Sequence, residues 1–207
     1  MPVRYFMKVL AHRGGQSNRE RGFSLTELVV AMAVALVLMG IGMPAFLRAY
    51  HTYLLSNAAS QTADILRFTR YEAIRRNMQL NCQIQPYAGD PTMTILWTDS
   101  IKNNQPDPTE QQILLGSGGN LVDGGGVPGV SALTARANIT SGTTSVPPSG
   151  TPINFDARGA VTPSSVYMFY LASSTAPEAG YRAVLLMPAG TIELWTGDRN
   201  GNWQQLR

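Results

Sequence analysis

Glu27 stands at the head of a run that carries no charge: from Leu28 to Leu47 the chain reads LVVAMAVALVLMGIGMPAFL, twenty residues without a formal charge. A carboxylate costs about 2.5–3.5 kcal/mol at the centre of a bilayer and less near its surface, so an acid in this position calls for a partner. The residue pattern offers two. Ser24-x-x-Glu27 fits a capping box, in which serine and glutamate satisfy free N–H groups at a helix start. A charge buried among apolar helices would instead need a partner of opposite sign. The residues alone leave both readings open.

Chemistry is sparse elsewhere. Cys82 is the only cysteine, which excludes an intramolecular disulfide and a cysteine-based metal site; it reads as a small apolar filler at the start of a strand. His12 and His51 lie before and just after the apolar run, each without a partner for catalysis. The carboxylates after residue 80, from Asp90 to Asp198, are scattered singly, so no nucleophile, base and orienting group can be assembled. Gly124-Gly125-Gly126 lacks the lysine and hydroxyl residue of a phosphate loop. The expectation is a protein that is not an enzyme and holds no metal or cofactor.

The elements that position Glu27 are more informative. Twenty helical residues span about 30 Å, the thickness of a bilayer hydrocarbon core. That is longer than the apolar region of a secretory signal, on the order of 7–15 residues, so the helix is expected to be retained. Residues 1–22 carry Arg4, Lys8, Arg13, Arg19 and Arg21 against Glu20, leaving 11 Lys/Arg against 12 Asp/Glu in the rest of the chain. The basic residues precede the apolar run, so the positive-inside rule keeps the N-terminus cytoplasmic and puts the C-terminal bulk across the membrane. Without its first 22 residues the chain loses its basic balance, which weakens any bulk electrostatic case for nucleic acid.

The segment RGFSLTELVV, residues 21–30, resembles the cleavage motif of the type IV prepilin superfamily. The resemblance implies cutting by a membrane-embedded prepilin peptidase between Gly22 and Phe23, N-methylation of Phe23, and pairing of Glu27 with the Phe23 amine of a neighbouring subunit during filament assembly. A glycine at the cut is physically apt, because a residue without Cβ lets a protease approach the backbone. Gly40, Gly42 and Pro44 are expected to weaken the helix: proline removes one hydrogen bond and glycine carries an entropic cost. In related filaments the corresponding stretch melts on packing.

From residue 48 to about Asn77 the pattern becomes amphipathic, with Leu54/Leu55, Ala58/Ala59, Ala63, Ile65/Leu66 and Ala73 at three-to-four spacing. Arg67, Arg70, Arg75 and Arg76 near its end suit the helix dipole and read as a solvated face, with Glu72 placed to pair with Arg75 or Arg76. LRFTRYEAIRRNMQL, residues 66–80, and INFDARGAVTP, residues 153–163, resemble elements of the GspH/FimT family of minor pseudopilins and pilins. Apolar runs at Thr92–Thr98, Gln111–Leu115, Ile153–Phe155, Val166–Leu171, Tyr181–Met187 and Thr191–Trp195 predict strands, the last two joined by the turn Pro188-Ala189-Gly190. Residues 116–150, rich in Gly, Ser, Thr and Pro, read as a long loop with one short strand.

The expected architecture is therefore α+β and pilin-like: leader 1–22, membrane and filament-core helix 23–47, amphipathic helix 48–80, and an antiparallel β head 81–207. The expected function is a minor pseudopilin or pilin of a type II secretion pseudopilus or type IV pilus. Its partners would be prepilin peptidase, other pilins or pseudopilins, and the inner membrane before assembly, with the head periplasmic. A plain bitopic membrane protein with a sensor or adaptor head is the alternative that leaves Gly22, Phe23 and Glu27 without a special role. DNA uptake is a further alternative, since family members bind DNA through a basic C-terminal region. Here that region offers only Arg199 and Arg207, with the aromatic Trp203, and two arginines predict little affinity for a phosphate backbone. Related pseudopilins hold calcium in an acidic C-terminal loop; only Asp198 occupies such a loop here, too few oxygen ligands for the ion.

Overall fold

The computed structural model describes residues 24–140, 142–149 and 152–206. The chain forms two compact units that divide between Gly42 and Met43. The described part of the first is the apolar start of helix α1, which runs Leu25–Arg76 over 52 residues. Every residue from Ser24 to Tyr50 is exposed, so the long apolar stretch has no covering in the isolated chain. It is long and apolar enough to cross a membrane. Pro44 lies inside the helix, and the helix continues through it and through Gly40 and Gly42.

Helix α1 stops for a local reason. Asn77 takes the left-handed conformation with φ 49°. Its N–H donates to Ile74 O, and the Met78 N–H donates to Ala73 O, both at 3.1 Å. This is the Schellman pattern, here with asparagine in the place usually held by glycine.

Among the described residues eleven strands follow, in two sheets. β1 (Leu80–Tyr87), β2 (Asp90–Asp99), β3 (Gln112–Leu115), β6 (Ile153–Phe155) and β7 (Val161–Thr162) form one sheet, ordered β3-β2-β1-β6-β7. β4 (Asn120–Val122), β8 (Val166–Ala172), β9 (Tyr181–Leu186), β10 (Ile192–Gly197) and β11 (Trp203–Leu206) form the other, ordered β11-β10-β9-β8-β4. β5 (Thr143–Ser145) joins β8 in the one parallel pairing among the described strands. The β9–β10 hairpin closes over Pro188-Ala189-Gly190, with Met187 N–H donating to Thr191 O and Gly190 N–H donating to Met187 O, each at 2.8 Å. Gly190 supplies the positive φ, 80°, that such a turn needs.

The buried face of α1 packs on both sheets. Leu55, Ala59, Ala63, Leu66 and Ala73 meet Cys82, Leu96, Phe155, Phe169, Leu171 and Leu186 in one cluster. The alanines let the helix backbone approach the strands closely, while the leucines supply apolar area at about 1.5–3 kcal/mol per buried side chain. A second cluster lies on the other face of β8 and β9 and contains Met168, Tyr170, Leu185, Trp195 and Trp203. Burial on both faces explains why β8 and β9 read as continuous apolar runs rather than alternating ones.

The 116–150 region departs from the expected loop. It contains β4, a single 3-10 turn at Gly124–Gly126, helix α2 (Val130–Arg136) and β5. The seven residues of α2 are too few for a helical period to register in the sequence, and only Leu133 among them is fully buried. Tertiary contact holds the helix. Trp203 Nε1 donates to Pro128 O at 3.1 Å, and Arg136 Nη1 donates to Trp203 O at 2.8 Å. Gly129 starts α2 at φ 69°, so close to the β10–β11 turn that an added Cβ would lie 2.3 Å from Gly201 O. The C-terminal tail likewise proves to be a strand, β11, whose Trp203 is fully buried.

Candidate functional site

Glu27 lies in the first turn of α1, exposed and without a side-chain partner among the described residues. The Ser24 carbonyl accepts the Leu28 N–H at 3.1 Å, so the chain enters the helix at Ser24. The reciprocal side-chain bonds of a capping box are not formed among the described residues: Ser24 Oγ pairs with Thr26 Oγ1 at 2.8 Å instead. Gly40 and Gly42 lie about 20–23 Å further along the helix at 1.5 Å per residue, and Pro44 follows in the same helix. Open space surrounds both glycines: beyond the adjoining helix backbone and chain neighbours, no atom lies within 4 Å of a Cβ added to either. These residues form a line along an uncovered helix rather than a pocket. Gly22, Phe23 and the leader 1–22 lie outside the described residues, as does Arg207.

In the second unit, a lock joins the end of α1 to the strands. Arg70 Nε donates to Gly159 O at 3.0 Å, and Arg70 Nη2 donates to Ala189 O at 3.2 Å. These carbonyls belong to the β6–β7 and β9–β10 turns, one in each sheet, and the turns are bonded to each other through Val161 N–H and Pro188 O at 2.9 Å. The approach at Gly159 is tight: an added Cβ would lie 2.6 Å from Ile74 Cδ1 and 2.9 Å from Arg70 Nε. The two stretches at 66–80 and 153–163 thus meet in space through a bond spanning 89 positions of sequence. Arg70 is therefore a fastening between helix and sheets, where the sequence suggested a solvated face.

Glu72, only 7% exposed, gathers both neighbouring arginines. Its carboxylate accepts bonds from Arg75 Nε at 3.0 Å, Arg75 Nη2 at 2.7 Å and Arg76 Nε at 2.9 Å. The Arg75 bonds foremost, then those of Arg76, hold the Glu72 carboxyl below its ordinary pKa against the opposing pull of burial. Arg67 pairs with Asp64 at 2.9 Å on the exposed side.

Arg199, the described member of the suggested DNA-contact pair, sits in the β10–β11 turn. Its Nε donates to Pro177 O at 3.0 Å, and its Nη2 approaches Glu178 Oε2 at 3.7 Å. An acidic neighbour and a structural bond on this arginine work against a phosphate role. Asp198 organises the same turn, accepting from Asn200 N–H, Asn202 N–H and Asn202 Nδ2, each at 2.8 Å. Those bonds, from Asn202 above all, lower its pKa. Among the described residues, no group of three or more His, Cys, Asp or Glu side chains is placed to hold a metal.

Comparison with known proteins gives two family matches. The prokaryotic N-terminal methylation motif matches residues 17–43, and the type II transport protein GspH family matches residues 58–190. No curated protein matches the chain. Among solved structures, the chain is similar to the type IV minor pilin FimU of Pseudomonas aeruginosa at 14% identity, over 72% of this chain and 92% of that one, with a TM-score of 0.46.

Proposed function

The chain belongs to the GspH family of type II transport proteins and carries the N-terminal methylation motif of prepilins, and from this premise we propose how it is processed and assembled. It is a minor pilin or pseudopilin, a structural component of a pilus-like fibre. Prepilin peptidase cuts between Gly22 and Phe23, and Phe23 becomes the methylated N-terminus. The apolar start of α1 then holds the chain in the inner membrane with its N-terminus cytoplasmic and its head periplasmic. On entry into the fibre, Glu27 pairs with the Phe23 amine of a neighbouring subunit, and the helix loosens around Gly40, Gly42 and Pro44.

One observation carries this reading: the methylation motif, residues 17–43, covers the start of a helix whose apolar residues are all exposed as far as Tyr50. Such a helix needs either lipid or other helices around it, and a fibre supplies them in turn. Glu27 supports the same sequence of events. An exposed acid with no partner among the described residues can be tolerated at a membrane surface, and a filament core then requires an opposite charge beside it. Pro44 has no N–H, so the Gly40 carbonyl lacks its helical donor, and the local helix is the cheapest place to open.

Co-expression with prepilin peptidase tests the proposal. The mature chain is expected to lose residues 1–22 and to carry one methyl group on Phe23, both read by intact mass. Gly22→Val is expected to block the cut by placing a branched side chain at the peptidase. Glu27→Ala is expected to be cut normally yet excluded from fibres. A full-length chain that enters the fibre uncut would refute the processing step, and fibre entry of Glu27→Ala at the wild-type level would refute the charge pairing.

A further inference from the structure

A row of directly opposed residues, Leu171, Arg182, Thr196 and Gln204, crosses β8, β9, β10 and β11. It lies on the sheet face that carries Val184 and Leu186 into the main core. Leu171 is fully buried at one end of the row and Gln204 is exposed at the other, so the cover provided by α1 runs out along it. Arg182 sits where that happens. It is only 5% exposed, with Nε donating to Ser56 Oγ of α1 at 3.2 Å and Nη1 donating to Tyr181 O at 2.9 Å. Nη2 has no partner among the described residues, and none of the ion pairs formed there involves Arg182. A buried cation without an opposite charge is unfavourable, and arginine does not escape by releasing its proton.

Arg182 borders a cavity of about 480 Å³ that is also lined by Thr196, Asn200, Asn202 and Gln204. The other charged groups around it are already engaged. Asp198 accepts three hydrogen bonds within the β10–β11 turn, and Glu178 faces Arg199. What remains is Arg182, without an ion pair among the described residues, beside the neutral side chains of Thr196, Asn200, Asn202 and Gln204. A carboxylate matches it in charge and in shape, because its two oxygens meet two guanidinium N–H groups side by side. Phosphate carries more negative charge and would meet Glu178 and Asp198 in the same cavity. The next row on this sheet face continues outward from Val184 through Leu194 to Leu206, which is 44% exposed, so an apolar shelf adjoins the cavity.

We propose that Arg182 forms a socket for an acidic side chain of a partner protein, whose neighbouring apolar residue rests on Leu194 and Leu206. The occupant is a Glu or Asp on a protein segment: it brings a single negative charge past Glu178 and Asp198, where a nucleic acid backbone brings a line of phosphates and meets more repulsion. The socket names a partner chemistry for the head and stands apart from cleavage at Gly22, so binding and processing are read in separate experiments.

The test uses the full chain in detergent micelles, with sodium propionate as the side-chain probe at constant ionic strength. The Arg182 Nε–Hε resonance, assigned by its disappearance in Arg182→Lys, is expected to shift and saturate with propionate. Propionamide, isosteric but neutral, is expected to leave it in place, and inorganic phosphate to bind more weakly than propionate. Glu178→Gln removes a repulsive carboxylate without touching Arg182 and is expected to tighten propionate binding by roughly twofold to fivefold. A resonance that does not saturate with propionate, an equal response to propionamide, tighter binding of phosphate, or no gain in Glu178→Gln would each overturn the socket.

Discussion

Replacing Thr69 by valine should destabilise the head more than replacing its partner Thr98, although both lose the same bond. The two hydroxyls meet at 2.7 Å between α1 and β2, and both side chains are almost wholly buried. Thr69 Oγ1 also donates to Ile65 O at 2.8 Å. A hydroxyl has a single proton, and a carbonyl can only accept, so Thr98 is the donor in the pair. Thr69→Val therefore strands the Thr98 hydroxyl proton in an apolar interior, at a cost of about 1–3 kcal/mol. Thr98→Val leaves Thr69 bonded to Ile65 and removes one net hydrogen bond, about 0.5–1.5 kcal/mol. The double variant has no stranded proton, so its cost should fall below the sum of the two single changes. Urea unfolding of the full chain in micelles reads these values through the fluorescence of Trp97, Trp195 and Trp203, all buried in the second unit. Cys82 supplies an independent readout. It is fully buried, and desolvation raises its pKa to about 12, so a thiol reagent should reach it only when the head opens. Equal costs for the two single variants, or strict additivity in the double, would refute the assigned direction of the bond.

Three further outcomes follow from the lock at the end of α1 and from the docking of α2. The Glu72 carboxyl is held below its ordinary pKa, so its contribution to stability is present above about pH 4.5 and lost as the pH falls through the lower folded value. Glu72→Gln should flatten that part of the acid limb in a plot of stability against pH. Arg70→Ala should cost about 1.5–3 kcal/mol by removing a charged donor from Gly159 O and Ala189 O, and hydrogen exchange should quicken in both turns. Gly129→Ala forces a Cβ against the Gly201 backbone at a left-handed position, so thermal unfolding should show a loss of about 1–3 kcal/mol. An unchanged melting temperature would show that the α2 contact can relax.

The strands of the head were legible to different degrees, for physical reasons. β2, β3, β6, β8, β9 and β10 carry apolar runs that coincide closely with the observed elements. β7 has two residues, too short for any pattern. β11 is mostly polar and exposed, and its buried anchor Trp203 reads as an isolated aromatic until α2 is seen against it. The same holds for α2, whose one fully buried residue, Leu133, cannot establish a period. Arg70 and Arg182 were illegible as individual residues, because their partners Gly159, Ala189 and Ser56 are distant in sequence and chemically ordinary. The end of α1 shows the limit in reverse. Glu72 with Arg75 and Arg76 was readable from three- and four-residue spacing, while the left-handed Asn77 was not, since asparagine is compatible with several conformations.

By itself the chain's order of residues determined what local physics can settle: a basic first stretch, an acid at the entrance to twenty uncharged residues, a long helix, and apolar runs of strand length. Those features depend on charge, hydropathy and periodicity between near neighbours. The tertiary structure decided which arginine fastens helix to sheets, which one is buried without an ion pair among the described residues, and which turn of the tail a small helix covers. Those outcomes depend on pairings across up to 126 positions of sequence, where burial and hydrogen bonding follow from what the fold brings together and leave no periodic mark on the chain.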